Sequence, residues 1–589
     1  MINRRRFLIA TATAGVGYWS APLNAAYFKV HQVALGQTSS AIQRLGRLIT
    51  PERLRSRLYF IASDLFEGRR TGTRGQQLTA SYLGSEYAHM GFAPAIHTSD
   101  RSLPESFYQR FPCYITYPKS ARLSMVLSGK TLQAANTGTN PQCYFAGTDF
   151  RDVNASLVFA GYGIEDRDAK YQEYSALRER GVSIDGKWVL ILDGEPKFLA
   201  GKDGKPSKWA RSVFAKRVAL QAAGKAQGVL IVSDWASIST DFRNHVKQAA
   251  DGFPLRLRFD WPPSSNPVAL VIARDLASEV FNNADTSVDT AVGEIERSKT
   301  PINIDLGNVS VRAAFESFAP LESENVIAVL EGSDPVLRKE FVVISAHHDH
   351  LGIDPTISGD QIFNGAADDG SGTVAVLEMA SVFSRAKAEG VGPRRSLVFL
   401  HTSGEEASLL GSTYFVDQQP LVSLDAITAD LNLDGIAGVD PNHPRRSKNY
   451  LYVIAEPTEM NRISTRAQNQ SGTNIELDPH PDFNSDHYSF WRHQIPFIYY
   501  STGFVKNIHQ PSDEGGTIDY EHFARAAQLS FATAWELANQ PTTIRHKSQS
   551  ELRLVGYVCF PCGLECDDRV HDAPGSCPIC GMVLLKRFT

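Results

Sequence analysis

A chain of 589 residues, 42% hydrophobic and 21% charged, has the composition of a soluble globular protein with room for more than one domain. Its formal charge of −5 mixes both signs without a long basic run, so nucleic acid is not an expected partner. Neither a disordered chain nor one embedded in a membrane has this balance.

The first segment does not read as part of the fold. Asn3-Arg4-Arg5-Arg6-Phe7-Leu8 leads into an apolar stretch from Leu8 to Tyr18, and Leu23-Asn24-Ala25 offers a small-residue cleavage site. Charge, apolar run and cleavage site in this order resemble a twin-arginine export signal over residues 1–25, which implies a periplasmic or secreted protein. The apolar stretch is shorter than the ~18 residues a membrane span requires. No Cys follows the cleavage site to carry a lipid, so no stable membrane anchor is expected in the mature chain.

A body follows over residues 26–147. Leu78, Tyr82, Leu83, Tyr87 and Met90 recur at helical spacing, and Glu67-Gly68-Arg69-Arg70-Thr71-Gly72 reads as a polar loop before that helix. Residues 148–297 hold short β-type runs: Leu157–Phe159, Trp188–Leu192, Gly228–Val232 and Val268–Ile272. A helical stretch from Ala210 to Ala223 and turn-rich segments lie between them. This region carries no catalytic motif and reads as an inserted binding or shielding domain. Residues 298–541 alternate strands with amphipathic helices. Phe341–Ser345, Leu397–Leu400, Ala426–Leu433 and Phe497–Tyr500 are the strands, and Gly372 to Lys387 is a helix. The pattern predicts an α/β fold with a mostly parallel, mixed sheet covered by helices. Residues 542–589 form a linker and a Cys-rich module.

The chemistry lies in residues 298–541. His347 and Asp349 follow one strand, Glu405 and Glu406 another, and Asp434 a third; His509 lies in the loop after the fourth, and Asp368 in the loop before a helix. Ligands gather at the carboxyl ends of strands in open α/β sheets, so these side chains are placed to converge. Four carboxylates in one cleft repel one another and call for a divalent cation. Imidazole with carboxylate suits zinc, and two histidines with three carboxylates suit two ions sharing one carboxylate. Adjacent residues on an extended segment point different ways, so one of Glu405 and Glu406 can bind metal while the other acts as general base. Asp349, two residues beyond His347, is placed to fix the tautomer of a ligand imidazole.

The ordered set Ser345-Ala346-His347-His348-Asp349-His350, Asn364-Gly365-Ala366-Ala367-Asp368-Asp369-Gly370-Ser371-Gly372, Thr402-Ser403-Gly404-Glu405-Glu406, Asn432-Leu433-Asp434 and Asn507-Ile508-His509-Gln510-Pro511-Ser512-Asp513 resembles the dizinc exopeptidases. These include aminopeptidase Y, secreted bacterial leucyl aminopeptidases and glutamate carboxypeptidase. The resemblance implies that Asp368 bridges two zinc ions, His347 and Asp434 hold one, and Glu406 and His509 hold the other. It makes Glu405 the base. His348 stands where many relatives carry an aromatic residue or Leu, which leaves His348 as the alternative to His347. Ser485-Asp486-His487 also resembles a family segment near the site, and a buried structural His–Asp pair explains it equally well. Gly161-Tyr162-Gly163-Ile164 and Gly186-Lys187-Trp188-Val189 are similar to a protease-associated domain inserted in some relatives.

Five of seven cysteines fall in the last 31 residues. Cys559-x-x-Cys562 and Cys577-x-x-Cys580 are two knuckles whose spacing suits a tetrahedral zinc with four thiolates, in a zinc-ribbon or heavy-metal-binding-like module; Cys566 and His571 are spare candidates. Disulfides in an oxidising compartment are the alternative. Cys113 and Cys143 carry no assignment.

The expected activity is hydrolysis of peptide bonds at chain termini, as an aminopeptidase acting on a peptide or small amide. A glutamate-carboxypeptidase-like carboxypeptidase or another amide hydrolase is the alternative, and a receptor-like relative without metals is the non-enzymatic one.

Overall fold

The computed structural model describes residues 42–589, except 96–103, 116–120, 136–142, 146–152, 201–206, 208, 210–212, 234–254, 258–267, 316–320, 355–356, 439–449, 472, 479–482, 504–505, 543–547, 560–565, 567–568, 575–576 and 578–583. The expected export segment, Cys562 and Cys580 lie outside the described residues.

The apolar runs form the centre of one large sheet. Its main strands are β1 (Tyr108–Ile115), β2 (Leu255–Leu257), β3 (Leu321–Leu330), β4 (Phe341–His347), β5 (Ser396–Thr402), β6 (Ile427–Leu433), β7 (Tyr450–Glu456), β8 (Asn474–Leu477) and β9 (Phe497–Ser501). They lie in the order β2-β1-β3-β5-β4-β6-β9-β7-β8. The four central strands β5, β4, β6 and β9 are parallel, while β1, β2 and β3 flank them in antiparallel pairing. The sheet is therefore mixed, with its parallel part at the centre, where sequence patterning is strongest.

Those central strands are buried on both faces because helices cover both. Val342 and Ile344 pack on one side with α1 (Pro51–Ile61), α2 (Arg74–His89), α3 (Ser371–Ala388) and the long helix Tyr520–Asn539. Val343 and Val398 pack on the other, with Phe415, Val416 and Phe490. The alternation follows from the two-residue period of a strand. Helix α1 starts at an N-cap, where the Thr50 hydroxyl accepts from the Arg53 amide, and Pro51 sits in its first turn. Cys113 is a free thiol buried beside Phe111, Ala407 and Leu410, and burial pushes it up to about 12.

The second sheet is wider than the expected insert of residues 148–297. It takes in strands Ala121–Leu127, Lys130–Ala135 and Cys143–Phe145 before that span and Val309–Phe315 after it. Val309–Phe315 pairs antiparallel with both Ala121–Leu127 and Val153–Phe159, closing the unit from its two ends. Local strand patterning does not reveal such a partner across nearly the whole insert, so the boundary moves outward. The four runs read from sequence form its parallel middle, around a separate apolar core.

The C-terminal module is a three-stranded antiparallel sheet of Leu554–Cys559, Val570–His571 and Leu584–Phe588. It packs through Val558 and Leu585 onto Leu409 and Tyr488. The Tyr488 hydroxyl donates to the Cys559 carbonyl at 3.2 Å, and Arg492 donates to the Lys586 carbonyl at 2.6 Å. Among the described residues no helix is long and apolar enough to cross a membrane.

Candidate metal centre and active site

The parallel order β5-β4-β6-β9 brings the predicted residues to one rim. His347 is the last residue of β4, Glu405 and Glu406 follow β5, Asp434 follows β6, and His509 lies beyond β9. Asp368 reaches the same rim from the turn before α3.

Asp368 sits at the middle. Its Oδ1 lies 3.2 Å from His347 Nε2, and its Oδ2 lies 2.9 Å from His509 Nε2. Asp434 is 3.7 Å and Glu405 is 3.8 Å from His347 Nε2. Glu406 Oε2 is 3.4 Å from His509 Nε2. His347, Glu405 and Asp434 each offer a ligand atom within 4.8 Å of the others, and so do His350, Asp368 and Glu406. His348 does not join them: its ring is buried beside Gln76, 3.1 Å from Nε2 to Nε2, and burial lowers it to about 4.

Surrounding groups aim these side chains. Thr71 donates to Asp349 Oδ2 at 2.7 Å, and the Glu405 amide donates to Oδ1 at 3.3 Å. His347 Nδ1 lies 3.2 Å from the Asp349 carbonyl and 3.7 Å from its carboxylate, so the backbone oxygen is the nearer partner for the tautomer. The Asp513 carboxylate accepts from the Ala367 amide at 2.9 Å and the Asp368 amide at 3.1 Å, fixing the turn that carries Asp368. Asp369 accepts from the amides of His347, Gly372 and Gly435, tying β4, α3 and the end of β6 together. Asp513 was visible in the His-Gln-Pro-Ser-Asp segment and Asp369 in the Asp-Asp pair, yet neither spacing disclosed these jobs. In the Ser485-Asp486-His487 segment, Asp486 accepts from the Thr402 hydroxyl and His487 stacks on Tyr499 at 4.4 Å, a buried support behind β5 and β6.

Electrostatics follow from this crowding. Burial lifts the Glu405 carboxyl well above its ordinary range; His347 opposes this, while Asp434, Glu406 and Asp486 add to it. Burial disfavours a charged His347, but Glu405, Asp349, Asp368 and Asp434 outweigh it and raise the imidazole well above its usual value. Glu406 is the largest cause raising the half-exposed His509 to about 10. Imidazoles so strongly drawn to positive charge mark a place where a cation is stabilised. His347 Nε2, His350 Nδ1 and Glu406 Oε1 are buried without a hydrogen-bond partner among the described residues. Each such atom costs about 1–3 kcal/mol if left so. Divalent zinc fits this donor set of imidazole and carboxylate and satisfies those atoms together.

Residues 325–534 match the model of peptidase family M28. Residues 557–587 match the heavy metal binding domain. The chain is 26% identical over 311 residues to a probable zinc metalloprotease of Pyrenophora tritici-repentis, covering 46% of this chain and 67% of that one. It is 29% identical over 195 residues to leupeptin-inactivating enzyme 1 of Streptomyces exfoliatus, covering 33% and 39%, and 24% identical over 300 residues to mouse transferrin receptor protein 2, covering 47% and 33%. The match thus spans between a third and two thirds of these relatives' length. Among solved structures, an aminopeptidase from Aneurinibacillus sp. strain AM-1 aligns with 16% identity and a TM-score of 0.48, over 86% of this chain and 98% of that one. The matched segment begins at Asn325 in β3 and so includes every residue of the rim described above.

In the C-terminal module Cys559, Cys566 and Cys577 are buried together, each with a thiol within 4.8 Å of the others. Cys566, a spare candidate by spacing, is thus beside two of the expected ligands.

Proposed function

We propose that this chain is an exported dizinc metallopeptidase that removes residues from peptide N-termini. Asp368 carries the reading. One carboxylate whose two oxygens face two imidazoles, His347 at 3.2 Å and His509 at 2.9 Å, is the arrangement two adjacent ions require. His347 and Asp434 would hold one ion, Glu406 and His509 the other, with Asp368 between them. Bound there, two zinc ions supply Lewis acidity toward a substrate carbonyl and toward the attacking water.

Glu405 is the proton carrier. Its Oε2 takes a proton as water attacks the peptide carbon and delivers it to the leaving amine nitrogen as the C–N bond breaks. The Asp349–Thr71 contact and the Glu405 amide bond to Asp349 hold this carboxylate's turn in register with His347. The six side chains together also argue against a receptor-like chain without catalysis.

A digest of a mixed peptide library, with mass-spectrometric readout of each product, tests the proposal. Loss of single residues from the N-terminus supports an aminopeptidase, and loss from the C-terminus transfers the site to carboxypeptidase chemistry. Intact peptides after incubation with added zinc end the enzymatic reading.

The Cys-rich module is assigned one structural zinc, held by Cys559, Cys577 and the expected Cys562 and Cys580. Cys577→Ser is expected to lower the zinc content by about one ion per chain while peptide hydrolysis persists. Unchanged zinc by elemental analysis sinks this assignment in favour of disulfides.

A further inference from the structure

We infer that His350 binds the second metal of the centre through Nδ1, as a sixth protein ligand beside the five read from the sequence; the inference rests on the dizinc reading above. His350 lies three residues beyond His347. Its amide donates to the Arg69 carbonyl at 3.2 Å, and the residue forms an isolated bridge with Arg70. The backbone is therefore held by the Glu67–Gly72 loop, and the side chain is fully buried.

Its Nδ1 is 2.7 Å from Glu406 Oε1 and 4.0 Å from Asp368 Oδ2. A nitrogen and an oxygen at 2.7 Å normally share a proton. Here neither Nδ1 nor Oε1 makes a hydrogen bond of acceptable geometry, so the ring N–H direction does not lie along the line between them. Two buried polar atoms this close, with no hydrogen bond of acceptable geometry, are placed to share a cation. The other oxygen of the same carboxylate faces His509, whose ring centroid is 5.8 Å from that of His350. The two imidazoles thus flank Glu406 and Asp368.

The fold makes room for this ring in particular. Gly365 has φ +57°, and a Cβ there would stand 2.5 Å from Cγ and Cδ2 of His350. The Gly365 carbonyl accepts from Arg69 at 2.8 Å, so this wall does not give way. With His350 included, the second metal would be held by two imidazoles and two carboxylates. The first would be held by His347, Asp434 and the shared Asp368, leaving Glu405 free for its role as base. The two ions are then unequal: the second is held mainly by protein, the first is the more exchangeable.

The test compares the full-length wild type with His350→Ala and His350→Gln. Metal per chain is measured after dialysis against graded chelator, and the cobalt-loaded proteins are compared by visible absorption. Both variants are expected to release one more ion than wild type at chelator strengths at least ~10-fold lower, with a changed cobalt spectrum, since losing even an outer partner of a ligand typically weakens metal binding about 10- to 100-fold. Chelated forms that melt together show that the loss belongs to the ligand and not to the fold. Equal metal retention and identical cobalt spectra overturn the inference. Full recovery in His350→Gln but not in His350→Ala also overturns it, because a hydrogen bond to Glu406 would then suffice. A wild type holding no metal beyond the ion removed by Cys577→Ser takes down the dizinc reading itself.

Discussion

Glu405→Gln is expected to keep its catalytic zinc and to lose roughly 10²- to 10⁴-fold in kcat, the usual contribution of a general base. Glutamine has the same shape and reach as glutamate but accepts no proton at pH 7. The loss should fall on kcat with KM little changed, because the proton transfer belongs to the transition state and not to substrate binding. The result discriminates between two geometrically open roles. Glu405 lies 3.8 Å from His347 Nε2 and groups with His347 and Asp434 as closely as a ligand would. As a ligand, its replacement should release metal; as the base, it should leave metal content unchanged. Steady-state kinetics with zinc analysis on the same preparation separates them. Near wild-type turnover would remove Glu405 from the proton path altogether.

What made most of this centre readable is its position on the sheet. His347, Glu405 and Glu406 follow runs of four apolar residues, and Asp434 follows the strand-like Ala426–Leu433 segment; such segments mark parallel strands whose carboxyl ends share one rim. The observed β4, β5, β6 and β9 begin or end within two residues of those runs. Asp368 and His509 sit in loops, where no periodicity acts, and were placed through the resemblance of their surrounding motifs. The same reasoning explains the misplaced insert boundary. Ala121–Leu127 and Val309–Phe315, not read as strands from the sequence, pair with each other across the whole insert, and such pairing is decided by contacts far apart in the chain. His350 was hidden by abundance. Among His347, His348 and His350 the motif resemblance points to His347, with His348 as the alternative, and only the wall at Gly365 distinguishes His350.

Arg69 was the least legible of all, and its replacement should cost the most stability. In Glu67-Gly68-Arg69-Arg70-Thr71-Gly72 an arginine between glycines reads as solvent-exposed, yet its guanidinium is fully buried beneath the metal centre. Nε donates to the His348 carbonyl at 3.0 Å, Nη1 to Ile61 at 3.2 Å and Asn364 at 2.5 Å, and Nη2 to Gly365 at 2.8 Å. One planar fork thus joins the end of α1, the loop after β4 and the loop carrying Asp368. Burial works against its charge, while Asp513, Asp349, Asp368 and Asp369 work in its favour. Gly68 allows the approach: with φ +65°, a Cβ there would stand 2.4 Å from the Gly352 carbonyl oxygen. Arg69→Met keeps the stem but orphans four buried carbonyls and leaves the carboxylates uncompensated. Breaking a buried charged network of this kind costs about 3–5 kcal/mol. Thermal unfolding of the chelated protein should show that loss, and zinc titration should show weaker binding as the loop carrying Asp368 loosens at Asn364 and Gly365. Arg69→Lys should recover little, since one ammonium cannot span three loops as the fork does. A melting midpoint and zinc affinity indistinguishable from wild type would refute a structural role for this residue and return the loop to the solvent-facing reading its sequence suggests.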